Sequence, residues 1–594
     1  MKKIIKIILI FLLTQTKMVF GAYLENVPIT VTQPDGTTLK LFATGDEYYN
    51  WMHDENGYTV VINPKTKYYC YAILKNDELV ASSNVVGKTV PQKIGLKPKI
   101  NLTVAKMNET KRKVYDYMHG NETQKSNFKR VALKSASTTQ SSFSKINNIV
   151  IFIRFADQTE FETAQNYYTS IFNGTSTGVS SMRNYFKEAS YGNLDINTTF
   201  YPVNNGTKVL SYQDIYESGY YMTTNESEIG YRADDFEERT KREHNLLCRA
   251  IDYVKSQIPT SLDIDNDNNG YVDNICFIVK GNTTAWSTLL WPHKWQLYSR
   301  SEYINGKRVY YYNFQIENHL KAKDVGVLCH EMNHTLGAPD LYHNDNVTPI
   351  GAWCLMSHDQ NPPQHMCAYV KYKYDGWIQE IPEITKSGTY SLNPLVKSTN
   401  NCYKISIKGS EEYLVLEYRK KEGTFEKSVY GSGLVVYRIN EKISGNPKVG
   451  GHGGENDMIY VFRPNGSLHS EGDISVAFLS AQTGRDSFNN NSNPYCFTSN
   501  GNKGNIYIKN ITESNGKITF DVRFCDGADI VKSNTSNLPQ LTNASRSITT
   551  QNVVTVKSTD NITFEAGNEV TLNAGFEVKL GGKFEINMND CGDK

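Results

Sequence analysis

The sequence predicts a multidomain protein: an α/β (α+β) central domain, preceded by a β-rich leader and followed by a β-sandwich and a small β-solenoid. Three observations predict this. At 594 residues the chain exceeds what one hydrophobic core organises, since single cores stop growing near about 250–300 residues. Strand-like and helix-like patterns alternate only between residues 146 and 380, as in a sheet covered by helices. Beyond Trp377 the helical pattern stops and short alternating runs separated by turns take over.

Composition narrows the class of partner. Hydrophobic residues at 39% and charged residues at 21% suit a soluble globular chain. The 63 basic and 62 acidic residues leave a net charge of +1. No global field draws such a chain onto nucleic acid or anionic lipid, so nucleic acid is not an expected partner.

Residues 1–21 read as a secretory signal peptide. Lys2 and Lys3 give a basic start, Ile4 to Leu13 is apolar except for Lys6, and Val19 and Gly21 offer small residues before Ala22. The run is too short to span a bilayer, and no later stretch approaches the roughly 20 apolar residues a spanning helix needs. The expected location is therefore secreted, either extracellular or at the cell surface. All ten cysteines stay in the mature chain; an oxidising compartment permits disulfides, but pairing is not readable from spacing.

Residues 22–105 form the leader. Thr30-Val31-Thr32 runs into the turn Pro34-Asp35-Gly36-Thr37 and then Leu39 to Phe42, with another strand at Tyr68 to Leu74. Residues 106–145 change character: Lys111, Arg112, Lys113, Lys125, Lys129, Arg130 and Lys134 crowd ahead of a Ser/Thr-rich run. That composition reads as an exposed, cleavable linker, or as a plain solvated loop. The central domain, 146–380, opens on the buried strand Ile149–Phe155 and continues with a helix at Ser181–Ala189, a helix near Leu247–Ile258 and the strand Ile275–Val279. The sandwich, 381–526, is read from Thr389–Leu392, Tyr403–Ile407, Tyr413–Tyr418, Leu434–Arg438 and Ile518–Val522. Residues 540–592 hold four octads beginning at Lys557, Glu565, Asn573 and Gly581. Ile562, Val570, Val578 and Ile586 share one position of the octad, and Phe564, Leu572, Leu580 and Met588 another, which predicts stacked coils burying both rows.

The strongest chemical signal is Val325-Gly-Val-Leu-Cys-His330-Glu331-Met-Asn-His334-Thr-Leu-Gly337-Ala-Pro-Asp340. With 12 histidines in the chain, chance supplies His-Glu-x-x-His only roughly 0.01 times in this length. On a helix His330 and His334 lie on one face and can share an ion, while Glu331 stands beside it, free to take a proton from the attacking water. A catalytic zinc needs a third protein ligand. Gly337 can end the helix in a left-handed conformation, Pro339 stiffens the return, and Asp340 completes the set. His343, three residues on, is the rival third ligand.

These residues carry a resemblance. His-Glu-x-x-His-x-x-Gly-x-x-Asp followed by Trp353-Cys-Leu-Met356-Ser resembles the metzincin pattern with its methionine turn. The Asp variant, continuing Leu341-Tyr342, is similar to the immune inhibitor A family of bacterial zinc metallopeptidases, family M6. The likeness extends to Ser181–Leu194, Glu412–Tyr418 and Gly431–Tyr437, covering about residues 145–440. It implies a metzincin-like fold, a prosegment in the leader, and Met356 as an apolar floor beneath the metal. The octads resemble small C-terminal stack modules on secreted proteins of Bacteroidota, which implies cell-surface attachment through that module.

A second metal site is expected at Asp263-Ile-Asp265-Asn-Asp267-Asn-Asn269-Gly270-Tyr-Val-Asp273. Asp263, Asp265, Asp267, Asn269 and Asp273 crowd oxygen atoms around a glycine bend, as hard cations of the calcium type require. Its twelfth position is Cys276 rather than a bidentate glutamate, and the same residues also suit a polar turn. Cys329, Cys354 and Cys367 read as buried small apolar residues rather than ligands.

The expected activity is that of a zinc-dependent endopeptidase acting on protein or peptide substrates, with Glu331 as general base. Tyr369, His358 and His365, after the methionine turn, are the oxyanion-stabilising candidates. Val309–Ile316 is a candidate edge for pairing an extended substrate, and equally an ordinary core strand. Two rivals are carried: a metal-stabilised surface adhesin without turnover, and a zinc amidase acting on cell-wall peptides. The leader is expected to confer latency, with Cys70, Asp46 or Asp54 as candidate blocking side chains.

Overall fold

The computed structural model describes residues 24–45, 49–103, 144–204, 206–224, 227–281, 291–323, 325–343, 348–443, 452–524 and 527–588, with a few isolated residues between these segments. The expected signal segment, nearly all of the 106–145 linker and Asp46 lie outside the described residues.

The leader is one antiparallel sheet of six strands in chain order: β1 (Leu24–Thr32), β2 (Thr38–Gly45), β3 (Asn50–His53), β4 (Thr59–Ile62), β5 (Tyr69–Lys75) and β6 (Glu78–Val85). The β1–β2 turn closes on Gly36, whose φ of +84° suits glycine. Alternation along β2 sends Leu39 and Leu41 inward. That core also takes in two residues from far along the chain, Trp291 and Val327.

The central unit is built on a second sheet, β7 (Lys145–Arg154), β8 (Asp195–Tyr201), β9 (Tyr212–Gln213), β10 (Ile275–Val279), β11 (His293–Gln296) and β14 (Tyr311–Ile316). The hairpin β12 (Glu302–Ile304) and β13 (Lys307–Val309) lies between the last two in sequence. The spatial order is β11-β14-β10-β7-β8, with β9 pairing the end of β7. All neighbours are parallel except β11, which runs antiparallel along the edge. Strands β7 and β10 are apolar on both sides because both faces are covered. Ile149, Ile151 and Phe277 pack with Leu247 and Ile251 of α3 (Phe236–Val254). Val150, Phe152 and Cys276 pack on the other face with α1 (Gln165–Asn173) and α2 (Met182–Ala189). Ser181 caps α2, accepting from the Asn184 N–H. The motif helix lies on this second face: after α4 (Glu317–Lys323) comes α5 (Gly326–Thr335), and α6 (Ala368–Lys373) closes the helical part.

Val309–Ile316 is not the free edge. Strand β14 is flanked by β10 and β11, so its hydrogen-bonding groups are used on both sides, and among the described residues β11 is the edge strand. Of the two readings the sequence leaves open, the ordinary core strand holds; an interior strand and an exposed edge strand can carry the same apolar run, so only the pairing decides.

Beyond Lys373 the described residues contain no α-helix. Strands β16 (Cys402–Ser406), β17 (Tyr413–Arg419), β18 (Gly433–Ile439) and β19 (Ile459–Val461) form one sheet in that order, after β15 (Gly388–Leu392) in the chain. Strand β20 (Phe478–Leu479) also pairs with β18, and β15 joins β22 (Lys517–Phe524) and β21 (Ile506–Ser514) in a second sheet. Leu414, Leu416 and Val436 face the second sheet. Their neighbours Val415, Val435 and Tyr437 face the other way and join the core that contains α2, α5 and α6. One sheet thus serves two cores, and the central core does not end near residue 380.

The octads pack differently from the expected eight-residue stack. Strands β23 (Gly527–Thr535), β24 (Leu541–Val556), β25 (Asn561–Ala566), β26 (Glu569–Thr571), β27 (Phe576–Val578) and β28 (Lys583–Met588) are joined by parallel pairings. Partners lie 22 residues apart, as in Leu541↔Thr563, Ser547↔Glu569, Val554↔Phe576 and Asn561↔Lys583. An octad is one side of a coil, because a strand meets its parallel successor only after the chain has gone round once. The stack also begins earlier than residue 540, at Gly527. Ile562 and Phe564 are buried as expected, but Leu572, Val578, Leu580, Ile586 and Met588 are exposed, near the end of the stack, where no further described coil follows β28. No helix among the described residues is long and apolar enough to cross a membrane.

Candidate metal centre

Helix α5 carries the motif. It begins at Gly326, where a Cβ would stand 2.5 Å from the Gln360 carbonyl oxygen, so the close approach of that loop requires glycine. His330 and His334 fall one turn apart with ring centroids 4.8 Å apart. Gly337, with φ of +105°, follows the helix end, and the Ala338 N–H returns to the Asn333 carbonyl. The chain then doubles back, and the Leu341 N–H donates to the Met356 carbonyl at 2.8 Å. Asp340 is thereby brought over the two histidines.

The three side chains converge. Asp340 Oδ1 lies 3.1 Å from His330 Nε2 and 3.2 Å from His334 Nε2. One potential ligand atom from each residue lies within 4.8 Å of the others. His330 Nδ1 faces the Leu355 carbonyl at 3.1 Å and His334 Nδ1 faces the Ala338 carbonyl at 2.7 Å. A carbonyl only accepts, so each Nδ1 carries the hydrogen and each Nε2 is left to present its lone pair. Two nitrogen lone pairs and a carboxylate oxygen directed at one point fit a cation. A proton competes for the same lone pair: burial alone would lower His330, yet the carboxylates of Asp340, Glu331 and Asp359 push its imidazole up to about 10. Asp340 is held well below the usual carboxylate range, because the two histidines outweigh its burial. The site rewards positive charge, whether a proton or a metal ion.

The turn at Leu355–Met356 supports both ligand segments, through the Leu355 carbonyl to His330 and the Met356 carbonyl to Leu341. Met356 is fully buried. This turn is tied in turn to the distal sheet, since Arg419 donates to the Trp353 carbonyl at 2.5 Å and to both oxygens of Glu426.

Glu331 is buried, following His330 on the helix. Beneath α5 runs a cross-strand row: Cys276 is opposite Asn313 and Asn313 is opposite Lys294. Glu331 is close enough for its charge to act on Cys276 and Lys294. Burial brings the Lys294 ammonium down to about 8, with Glu331 opposing that shift. Lys294 Nζ lies 4.3 Å from the Tyr311 ring centroid. Lys294 is a residue the sequence reading missed, since no motif marks it and only the register of β11 on β14 places it.

The other expected residues are distributed as follows. His343 is not in the metal cluster; its Nε2 lies 2.5 Å from Asp457 Oδ1. Tyr369 donates to Glu441 at 3.1 Å. His365 is fully buried, with Nδ1 3.3 Å from Lys371 Nζ and Nε2 3.2 Å from Glu188. Burial and the charges of Lys371 and Arg419 keep it well below the ordinary histidine range, hence neutral. His358 is buried after the methionine turn. Among the described residues neither histidine belongs to the metal cluster. In the leader, Cys70 is buried within β5, and Asp54 is occupied by the Asn56 and Tyr58 N–H groups and the Tyr71 hydroxyl. The eight described cysteines are buried and unpaired, Cys329, Cys354 and Cys367 among them.

Of the five residues expected at the second site, Asp265, Asp267 and Asp273 come together. Asp263 and Asn269 brace the loop instead: Asp263 accepts from the Asp265 N–H, and Asn269 accepts from the Tyr271 N–H. Lys307 reaches Asp265 at 2.5 Å. Burial, and then the neighbouring aspartates, raise Asp273 to about 7.

No family model and no curated protein matches this chain.

Proposed function

We propose that this protein is a secreted zinc-dependent endopeptidase of the immune inhibitor A type, with zinc held by His330, His334 and Asp340. The observation that carries this reading is the convergence of His330 Nε2, His334 Nε2 and Asp340 Oδ1, with both Nδ1 atoms anchored on backbone carbonyls. A nitrogen-rich set with one carboxylate suits zinc, whereas the all-oxygen cluster at Asp265, Asp267 and Asp273 suits calcium. Zinc, when bound, supplies a Lewis acid for the scissile carbonyl and acidifies the attacking water.

The chain's own residues do the rest. Glu331 takes the proton of the attacking water and returns it to the departing amide nitrogen. Strand β11 presents an edge on which an extended peptide can pair as an added strand. Secretion rests on the basic and apolar residues before Ala22, and the C-terminal stack is proposed as the surface-attachment module.

The leader is proposed to hold the enzyme latent. Val327 lies three and four residues before His330 and Glu331, on the same face of α5. It is buried in the leader's own core together with Trp291, which lies two residues before the edge strand β11.

The test is hydrolysis of denatured casein by the purified chain, before and after cleavage in the linker. Hydrolysis that a chelator abolishes and zinc restores, and that Glu331→Ala lacks while still binding zinc, supports the reading. Cleavage of peptidoglycan peptides but not casein would establish the amidase instead. Stoichiometric zinc without turnover of either substrate would leave the adhesin.

A further inference from the structure

The third metal ligand sits on a loop without regular secondary structure, residues 336–343. A carboxylate on such a loop needs external bracing to stay within reach of two helix-borne histidines. One brace is local, the Leu341 N–H on the Met356 carbonyl. The other comes from more than a hundred residues along the chain. Asn446, buried, donates through Nδ2 to the Leu341 carbonyl at 3.1 Å and to the Ile459 carbonyl at 2.9 Å. Its Oδ1 accepts from the Ile459 N–H at 3.0 Å, and its own N–H approaches the Asp340 carbonyl at 3.5 Å. One amide side chain therefore bridges the ligand loop and strand β19. Two residues past Leu341, His343 is locked to Asp457, both side chains fully buried. The segment that follows is pinned by the same region: the Val461 N–H donates to the Pro349 carbonyl, and Arg463 donates to the carbonyls of Thr348 and Pro349.

We infer that Asn446 and Asp457 are positioning residues for the metal centre, fixing the Asp340 loop against β19. The metal affinity of the α/β unit is then set partly by the β-sheet module, although that module contributes no ligand. The inference rests on the reading of His330, His334 and Asp340 as a zinc site. Strand β19 can serve as the anchor because it hydrogen-bonds to β18, whose side chains are buried along their whole length. Bracing of this kind stabilises only the geometry that binds metal, so its loss is expressed as affinity. Removal of groups that orient metal ligands costs about 10- to 100-fold in affinity.

The experiment is zinc competition against a chelating dye, using the full chain and its Asn446→Asp, Asn446→Ala and Asp457→Asn variants. Each variant should bind one zinc with a dissociation constant raised about 10- to 100-fold, with an unchanged circular dichroism spectrum. Asn446→Asp is the informative substitution. It keeps the size and the acceptor for Ile459 but loses the donor to Leu341, so it should weaken zinc as much as Asn446→Ala. Variants that bind zinc as tightly as the parent overturn the inference while leaving the metal centre intact. A parent that takes up no zinc overturns both. Should the variants not fold, hydrogen exchange on the parent decides: zinc should slow exchange at Ile459 as well as at Leu341, and an unchanged Ile459 refutes the coupling.

Discussion

Lys294 on the edge strand β11 stands directly opposite Asn313, which stands opposite Cys276, so a half-buried cation closes the row of residues beneath Glu331, the proposed general base. A positive charge there favours the carboxylate form of Glu331. We predict that Lys294→Met lowers kcat on the order of 10-fold, the size of effect expected from losing one partly screened charge near a reacting group. KM should change little, and Lys294→Arg should recover most of the rate. A loss confined to KM would show instead that Lys294 only contacts substrate.

The assignment of ligands separates three variants. His334→Ala and Asp340→Ala should no longer hold stoichiometric zinc after dialysis, because each leaves too few protein ligands. His343→Ala should still take up one zinc, more weakly, since His343 is engaged by Asp457 rather than by the cluster. Metal analysis showing zinc in Asp340→Ala but none in His343→Ala would reverse the two roles.

The acidic loop gives a pH prediction. Asp273 is raised to about 7 by burial and by its aspartate neighbours, above the roughly 3.9 of an unfolded chain. Between those values the folded state keeps a proton the unfolded state has lost. Stability from this group is therefore fully present below about pH 4 and is lost as pH rises through about 7. Calcium bound to the ionised loop opposes that loss, so added calcium should raise Tm more at pH 8 than at pH 5. An equal calcium response at both pH values, or one unchanged in Asp265→Ala, counts against a cation at this site.

Arg419 joins the β-sheet module to the methionine turn. It is fully buried with Glu417 and Glu426 as partners. Arg419→Met strands two buried carboxylates, and breaking a buried pair costs about 3–5 kcal/mol. The urea midpoint should fall accordingly, and a chain ended at residue 380 should fail to fold, because Val415, Val435 and Tyr437 complete the central core. A cooperative, zinc-binding fragment 144–380 would refute this.

Latency is testable through the shared core. Trp291 is wholly buried among leader residues. Cleavage in the linker followed by leader release should raise peptidase activity and shift tryptophan emission to the red, a shift that Trp291→Phe lacks. Equal activity before and after release would make the leader a folding aid rather than a lid.

Local signals were legible in the sequence. The spacing of His330, Glu331 and His334 fixes their shared helix face by the 3.6-residue period alone, Gly337 announces the turn, and Asp340 follows from the need for a third ligand. The β-rich leader and the two-sided burial of Ile149–Phe155 were readable for the same reason: strand and helix periods depend on near neighbours. Three matters belonged to the tertiary structure. Register decided that β11, not β14, is the edge and that Lys294 falls beneath Glu331. Closure of the coil decided that the octads run around the stack at 22 residues per turn. The fold of a distant segment decided that His343 belongs to Asp457 and that Asn446 braces Leu341. Such pairings join residues far apart in the chain, and nothing in the local pattern around either partner encodes the other; only the packing of whole sheets brings them together.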